Sequence, residues 1–317
     1  MTAMNLIGPF AQHFDGFGYH TVAHLAKHGA HVYMGARSAS KAATAISSIK
    51  TQHPTANITH LQLDHTNLTS VVAATTHFLT LETSLHGLVN NAGIMASPYS
   101  LTRDNHEIQF QTNYLAHWVL TTRLLPLLLH TSKTLPAGSV RIVNVSSSGH
   151  LRAPKGGIHF ADPSLASSSN NNTPWYRYGQ SKLANILHSH TLHTTYGPGS
   201  ASARNGDGEI WTTSVHPGVV ATNLTTTVDT SESTFSYIVW VMRKLGLVME
   251  SDEGSWTNVY CVAGQGMKRE ESGKYMDVHK RMGEIWWLSG YAKDKGLAER
   301  LEGWTREVMG REGWVGE

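Results

Sequence analysis

The chain contains one cysteine, little net charge and no long apolar run. Because Cys261 is the only cysteine among 317 residues, no disulfide can form within the chain, which fits a reducing compartment. A formal net charge of +2 gives no reason to expect a nucleic-acid partner. No stretch reaches the about 18 apolar residues of a transmembrane segment, and the first residues lack the pattern of a signal peptide. These absences predict a cytoplasmic protein.

Apolar segments with the spacing of strands alternate with segments that have the spacing of helices. Strands are predicted at 30–35, 58–63, 85–93, 139–145 and 210–215. Helices are predicted at 19–29, 40–50, 70–84 and 105–129, and on the helix that carries Tyr178. This alternation predicts an α/β fold with a Rossmann-like, doubly wound parallel sheet in a single domain, residues 1–317. Ligands of such sheets lie beyond the carboxyl ends of the strands.

Three segments depart from this alternation. Residues 151–174 are rich in Gly, Pro, Ser and Asn and are predicted to form a surface insertion. Residues 223–250 include an apolar, aromatic run and are predicted to form a lid over a hydrophobic pocket, which favours a hydrophobic small-molecule substrate. The C-terminal part is rich in tryptophan and is expected to pack on the edge of the sheet.

Tyr178 and Lys182 are the pair around which the chemistry of the chain can be organised. They are four residues apart on a predicted helix, so both side chains lie on one face. An ammonium group beside a phenol favours the phenolate and lowers the pKa of the phenol from its usual value of ~10. The spacing therefore predicts a tyrosine that can exchange a proton near neutral pH.

A serine run lies at the end of the 139–145 strand, upstream of this pair. Ser147 at the strand end, followed by Tyr178 and Lys182 on the next long helix, resembles the catalytic centre of the short-chain dehydrogenase/reductase family. Ser146 and Ser148 are interpreted as turn residues. The sequence is most similar in character to the retinol-dehydrogenase-like members, including fungal proteins of secondary metabolism.

The resemblance implies hydride transfer between a nicotinamide and the carbon of a ketone, aldehyde or secondary alcohol. It implies that Tyr178 donates the proton to the carbonyl oxygen and that Ser147 hydrogen-bonds that oxygen. Lys182 would lower the pKa of Tyr178 and hold the nicotinamide ribose. Asn113 would anchor a water molecule that leads from Lys182 to solvent. Members of the family are often homodimers or homotetramers through the helices that carry Asn113 and Tyr178.

The resemblance also implies a cofactor site. The residues it assigns to this site are Gly16, Gly18, Arg37, Asp64, Asn90, Ala92, Gly93, Tyr178, Lys182, Pro217, Gly218 and Thr222. At the end of the second strand, NAD-binding sites place an acid, whereas an arginine accommodates a 2′-phosphate. Arg37 lies there and no acid does, so NADP(H) is the expected cofactor.

The N-terminal 15 residues depart from the family pattern. Where the family has Thr-Gly at the start of its glycine-rich loop, this chain has Ala11 and Gln12, and a β-carbon at position 12 is expected to narrow the path to the phosphates. Gly8 and Pro9 argue against a central first strand. Three interpretations follow: a working reductase with an irregular first strand, a protein of the same fold that binds, cyclises or isomerises a small molecule without redox chemistry, or an incorrect N-terminus.

Histidine is abundant but does not predict a metal site. His20, His24 and His28 are spaced by four residues, as zinc ligands on a helix can be. Val22 and Leu25 define the inward face of the same helix, so the three histidines are expected to face solvent. No metal is expected.

Overall fold

The computed structural model describes residues 16–167, 173–218, 249–277 and 288–316, together with the backbone of residues 5–9 and 283–284. The strands are β1 (Asn5–Pro9), β2 (His31–Ala36), β3 (Asn57–Gln62), β4 (Gly87–Asn90), β5 (Arg141–Val145), β6 (Trp211–His216), β7 (Tyr275–Asp277) and β8 (Gly283–Glu284). They form one sheet in the order β3-β2-β1-β4-β5-β6-β7-β8. All neighbours are parallel except β7 and β8, as predicted for a doubly wound fold.

Helices follow most of the strands and cover both faces of the sheet. The α-helices are α1 (Phe17–Lys27), α2 (Ala39–Gln52), α3 (Leu68–Leu81), α4 (Ile108–Phe110), α5 (Ala116–Lys133), α6 (Thr173–Tyr196), α7 (Ala201–Asn205), α8 (Ser251–Ala263) and α9 (Lys295–Arg311). One core joins the sheet to α3, α5, α6 and α9. A second core joins the opposite face to α1, α2 and α8. None of the helices described is both long enough and apolar enough to cross a bilayer.

The first strand is central, contrary to the expectation from its proline. β1 lies between β2 and β4, and Pro9 is its last residue. Pairing with β4 involves only Leu6 and Ile7, so the proline stands beyond the part of β1 that is paired on that side. The loop positions Ala11 and Gln12 lie outside the described residues.

The predicted insertion is held against α6 as far as residue 167. The Asp162 carboxylate accepts hydrogen bonds from the hydroxyl groups of Ser164 and Ser167, which organises a tight turn. From α6, the Arg177 guanidinium donates to the carbonyl oxygens of Ser164 and Leu165. The insertion is therefore part of the packed fold here. Of the predicted lid at 223–250, only residues 249 and 250 are described.

The C-terminal helix packs on other helices rather than on the sheet edge that the sequence suggested. The apolar face of α9 carries Leu301 and Met309, both buried in the core that it shares with α5 and α6. The indole N–H of Trp118 on α5 donates to Glu302 at 2.8 Å, and the Tyr114 hydroxyl pairs with that of Thr305. The prediction was wrong for α9, because tryptophan content does not identify the surface against which a helix packs. Trp286 and Trp287 lie outside the described residues.

Candidate active site

The predicted catalytic residues come together where β4 and β5 end beside α6. Tyr178 and Lys182 lie on one face of α6, as their spacing predicted, and the Lys182 nitrogen is 5.8 Å from the centre of the Tyr178 ring. The Ser147 hydroxyl hydrogen-bonds Tyr178. Gly93 lies against both Lys182 and Asn113. A β-carbon at Gly93 would lie 3.2 Å from Lys182 Nζ and 3.3 Å from Asn113 Oδ1.

The turn after β5 brings Ser147 to the tyrosine. Ser147 precedes a 3₁₀-helix, Ser148–Arg152, and its hydroxyl accepts a hydrogen bond from the Gly149 amide at 3.1 Å. Gly149 packs directly on the catalytic ring, since a β-carbon there would lie 2.4 Å from Tyr178 Cε1. A side chain at position 149 would therefore displace the ring from Ser147. Sequence reasoning missed this glycine, although it follows the serine run directly.

Burial controls the acidity of the tyrosine. Desolvation raises the pKa of Tyr178 to about 12, and the hydrogen bond with Ser147 opposes the rise. The predicted lowering of this pKa by Lys182 is wrong for the structure described here. Lys182 is itself buried, and desolvation lowers its pKa to about 7. Tyr178 is therefore a protonated phenol at neutral pH.

Lys182 is tied to the end of β5 by two hydrogen bonds in opposite directions. Its ammonium nitrogen donates to the Val145 carbonyl at 3.0 Å, and the Ser146 hydroxyl donates to the Lys182 carbonyl at 2.7 Å. Ser146 had been interpreted as a turn residue. It is instead buried, 2% exposed, and its hydrogen bond joins β5 to α6. Ser148 begins the 3₁₀-helix, in keeping with its turn assignment.

Asn113 lies in a π-helical turn, Gln111–Leu115, between α4 and α5. Its Nδ2 donates to the Ile94 carbonyl and to the Ser181 hydroxyl, both at 2.9 Å, and its Oδ1 accepts from the Ile94 amide at 2.8 Å. The side chain thus joins the loop after β4 to α6, next to Lys182. Both amide atoms of the side chain are engaged in these contacts, and the water relay through Asn113 stays a prediction.

A cavity of about 160 Å³ opens beside these residues, at the carboxyl ends of β2, β3 and β4. Its lining includes the predicted residues Arg37, Asp64, Ala92 and Gly93. Gly93 leaves space that a β-carbon would fill. Lys182 is a buried amine whose one described acceptor is a main-chain carbonyl. The cavity lies at the strand ends, where doubly wound sheets bind dinucleotides, and its Gly93 wall lies next to Lys182, so its position fits a nicotinamide dinucleotide.

The basic side of the cavity is larger than the sequence suggested. Arg37 follows β2 and is exposed, Ser38 caps α2, and Lys41 on the first turn of that helix also lines the cavity. Lys41 was missed, although its position four residues after Arg37 on a predicted helix start could have revealed it. Asp64 also lines the cavity, and its carboxylate accepts hydrogen bonds from the amide and hydroxyl of Thr66.

The remaining predicted cofactor residues occupy different environments. Gly16 is buried at the N-terminus of α1, and Gly18 is buried within that helix. The Asn90 side chain donates to Thr121 and Asn144, so it joins β4 to α5 and β5 beneath the strand ends.

The loop after β6 begins at the same edge of the sheet, at the carboxyl end of the strand. Pro217 and Gly218 follow β6, and Gly218 adopts a positive φ of 79°. Thr222 lies outside the described residues. The cofactor roles of these residues stay predictions.

The histidine row on α1 has a partner that the sequence did not reveal. His20 and His24 lie 3.3 and 2.7 Å from the Asp252 carboxylate on α8 and are partly buried, whereas His28 is exposed. The expectation that all three face solvent holds for His28 and only in part for His20 and His24, which also contact Asp252. In the part of the chain that the structure describes, no group of three or more His, Cys, Asp or Glu side chains could hold a metal ion.

Comparisons with known proteins agree with this geometry. A sequence family described as short chain dehydrogenase matches residues 13–161. The chain is 46% identical over 298 residues to short-chain dehydrogenase/reductase drtF of Aspergillus calidoustus, a match that covers 93% of this chain and 90% of that protein. It is 33% identical over 297 residues to retinol dehydrogenase 12 of Mus musculus, covering 93% and 83%.

A solved structure has the same fold. An uncharacterized protein from Mycobacterium paratuberculosis superimposes with a TM-score of 0.69 at 26% identity, over 97% of this chain and 93% of that one. The sheet order, the strand-end site and the near-complete coverage of the fungal relative lead to one conclusion. The chain belongs to the short-chain dehydrogenase/reductase family of oxidoreductases, which bind nicotinamide cofactors.

Proposed function

We propose that the protein transfers a hydride between NADP(H) and a hydrophobic ketone, aldehyde or secondary alcohol. The observation that carries the proposal is the convergence of Ser147, Tyr178, Lys182 and Asn113 beside the Gly93 wall of the cavity. A surface tyrosine and lysine at the same spacing would share a helix face without a serine partner or a cavity. The convergence therefore supports a working proton-transfer site.

Tyr178 is the proton donor in the reductive direction. Its pKa of about 12 keeps the phenol protonated at neutral pH, and Ser147 fixes the direction of its hydroxyl. When bound, the nicotinamide supplies the hydride, and the protein supplies the proton and the hydrogen bonds. Ser147 stabilises the charge that develops on the substrate oxygen. Its hydroxyl is already oriented next to the proton donor by hydrogen bonds with the Gly149 amide and Tyr178.

Lys182 supplies the positive end of the site. With a pKa near 7, it shares its proton with solvent at physiological pH and can restore the proton that Tyr178 gives up. Val145 and Ser146 hold the residue against β5, and Asn113 holds the neighbouring turn of α6 through Ser181. Lys182 and Tyr178 would also hold the nicotinamide ribose. These contacts support the predicted relay from Tyr178 through Lys182 towards Asn113.

The basic rim of the cavity supports NADP(H) over NAD(H). Arg37 and Lys41 place two cations at the end of β2, and Ser38 adds a hydroxyl beside them. A ribose 2′-phosphate carries two negative charges that this set can bind, whereas residues 35–38 at the end of β2 include no carboxylate that could hold a 2′-hydroxyl. Asp64 follows the neighbouring strand β3 and would meet the adenine side.

The surroundings of Tyr178 support an apolar substrate. Ala96 and Trp175 pack with Tyr178 in a small apolar cluster, and Met95 lies against it. This cluster is separate from the two cores of the sheet, so its apolar surface belongs to the site. Retinol dehydrogenase 12, to which the chain is similar, is named for a hydrophobic alcohol. We propose a substrate of that chemical class, without assigning the individual compound.

Assembly is a further part of the proposal. A homodimer or homotetramer through the helices bearing Asn113 and Tyr178 would have to form beside α9, because Leu301, Thr305 and Met309 of α9 already pack on that side. Sedimentation of the purified protein gives the assembly directly. We expect the protein to act in the cytoplasm.

The test is turnover with purified protein. NADPH oxidation is followed with a panel of hydrophobic ketones and aldehydes, with NADH as the comparison, and product alcohol is identified by mass. Reduction of an apolar carbonyl compound with NADPH supports the proposal. The alternative function, non-redox binding, cyclisation or isomerisation, is favoured by the sequence at Ala11 and Gln12. It predicts that neither cofactor binds and that any conversion proceeds without either.

A further inference from the structure

Asn113 belongs to a helical turn with an unusual hydrogen-bond pattern. The Ala116 amide donates to the Gln111 carbonyl, five residues back, so the segment is wider than the α-helix that follows it. A widened turn shifts the hydrogen-bond ladder by one residue and frees a main-chain carbonyl. Because buried carbonyl groups need a donor, a side chain that donates to a carbonyl of this turn helps to hold its widened form.

His117 supplies a donor to this turn. Its Nδ1 lies 3.0 Å from the Asn113 carbonyl oxygen. A carbonyl oxygen only accepts, so Nδ1 carries the proton and Nε2 is bare. The residue is 1% exposed, and its Nε2 has no hydrogen-bond partner among the described residues. His117 is thus a neutral imidazole whose one described hydrogen bond goes to the carbonyl of a predicted catalytic residue.

The groups that face His117 keep it neutral. The His65 ring, on the loop after β3, meets it edge to face with centroids 4.7 Å apart. Burial holds the pKa of His117 well below its usual range, and His65, Lys182 and His188 lower it further. His65 is also buried, and this burial lowers its pKa to about 4, although the charge of Asp64 acts in the opposite direction. A second cation beside Lys182 is therefore disfavoured at neutral pH.

We propose that His117 is a positioning residue for the reaction, which fixes the widened turn through the Asn113 carbonyl and thereby places Asn113 and Lys182. The inference rests on the proposed function for its kinetic meaning. Its structural route is short. The Asn113 side chain holds both the amide and the carbonyl of Ile94, next to Gly93, and the hydroxyl of Ser181, next to Lys182. A rotation of the turn would move all of these contacts together.

Two substitutions separate the hydrogen bond from the imidazole. In His117→Asn, the side-chain amide nitrogen stands at the position of Nδ1 and can still donate to the Asn113 carbonyl. In His117→Leu, the donor is lost and the bulk is retained. His28→Leu is the matched control, because His28 Nδ1 makes the same contact with the carbonyl four residues back, at 2.7 Å from His24 O, but on the exposed end of α1.

The expected kinetic result is a split between the two variants. His117→Leu lowers kcat by about tenfold or more, since small displacements of catalytic groups carry large rate costs. His117→Asn and His28→Leu stay within about twofold of the wild type. An equal loss in His117→Asn and His117→Leu, or wild-type kcat in His117→Leu, overturns the proposal. Thermal unfolding of each variant shows whether the fold survives.

A second readout needs neither substrate nor cofactor. The titration of Lys182 is followed by nitrogen-15 NMR of labelled lysine in the cofactor-free protein. The wild type and His117→Asn are expected to titrate near the pKa of about 7 given by burial, whereas His117→Leu moves upward as the site loosens. An unchanged Lys182 titration in a folded His117→Leu overturns the positioning role. If the wild type shows no turnover but this shift occurs, the proposed function fails and the positioning stands.

Discussion

The Lys182 ammonium nitrogen lies 3.0 Å from the Val145 carbonyl oxygen, at the last residue of β5. This contact draws the lysine down towards the strand end and away from solvent. Burial therefore dominates the electrostatics of the site: it lowers the pKa of Lys182 to about 7 and raises that of Tyr178 to about 12. At neutral pH the Tyr178 phenol therefore stays protonated, whereas the Lys182 amine exchanges its proton with solvent.

Removal of the phenol hydroxyl tests the proton donor. Tyr178→Phe is expected to lower kcat by at least about 10²-fold, because no other described side chain supplies a proton at that point. The only hydrogen-bond partner described for the phenol hydroxyl is Ser147, and the ring contact with Trp175 is retained in phenylalanine, so the fold is expected to persist. Tyr176→Phe, on the same helix and partly exposed, is the control. Equal turnover in the two variants would remove Tyr178 from the mechanism.

The buried lysine gives stability a defined pH dependence. In the unfolded chain Lys182 has its usual pKa of 10.5, whereas in the folded protein the value is about 7. Between these values the unfolded state binds more protons, so the free energy of unfolding rises with pH. The destabilisation due to Lys182 is complete below about pH 7 and fades towards pH 10.5.

Lys182→Met is therefore expected to be more stable than the wild type at pH 6, on the order of a few kcal/mol, with the difference shrinking as the pH approaches 10. Denaturant unfolding of both proteins at several pH values measures this. Lys50→Met, at an exposed position of α2, is expected to show no such trend. A stability difference that is constant or grows with pH would contradict a buried amine of low pKa.

The basic rim is tested by cofactor preference. Arg37→Ala and Lys41→Ala are each expected to weaken NADPH binding by about tenfold, the usual scale for a lost hydrogen bond to a charged group, and to leave NADH binding unchanged. Lys50→Ala, on the same helix but absent from the cavity lining, serves as the control. Equal weakening of both cofactors would show that these residues support the fold and do not read the 2′-phosphate.

Gly149 tests the packing of the catalytic ring. In Gly149→Ala the new methyl group meets Tyr178 Cε1 at 2.4 Å, so the ring must move away from Ser147. The expected result is a loss of kcat of about tenfold or more with a small change in unfolding temperature. Gly303→Ala, where a β-carbon meets nothing within 4 Å, is expected to be neutral or slightly stabilising. Wild-type kcat in Gly149→Ala would contradict the observed packing.

Residue spacing in the sequence correctly predicted the secondary structure and the residues that share a helix face. Strand and helix periodicity identified the parallel sheet, and the four-residue spacing of Tyr178 and Lys182 placed both on one helix face. The position of Pro9 was misjudged, because a proline at the last residue of β1 leaves the pairing of Leu6 and Ile7 with β4 intact.

Other features depend on contacts between distant segments, which spacing cannot reveal. The pKa values of Tyr178 and Lys182 are set by burial from several elements, and the expected influence of the ammonium on the phenol was overestimated as a result. The Ser146 bond to α6 and the packing of α9 join residues far apart in sequence. The π-helical turn at Asn113 has no signature in apolar periodicity.

The most direct test of the account is a fluorescence titration of the purified protein with NADPH, with NADH as the comparison. The cavity, the basic rim and the proton-transfer residues together predict micromolar binding of NADPH and weaker binding of NADH. Binding of neither cofactor would contradict the redox function and favour the non-redox alternative.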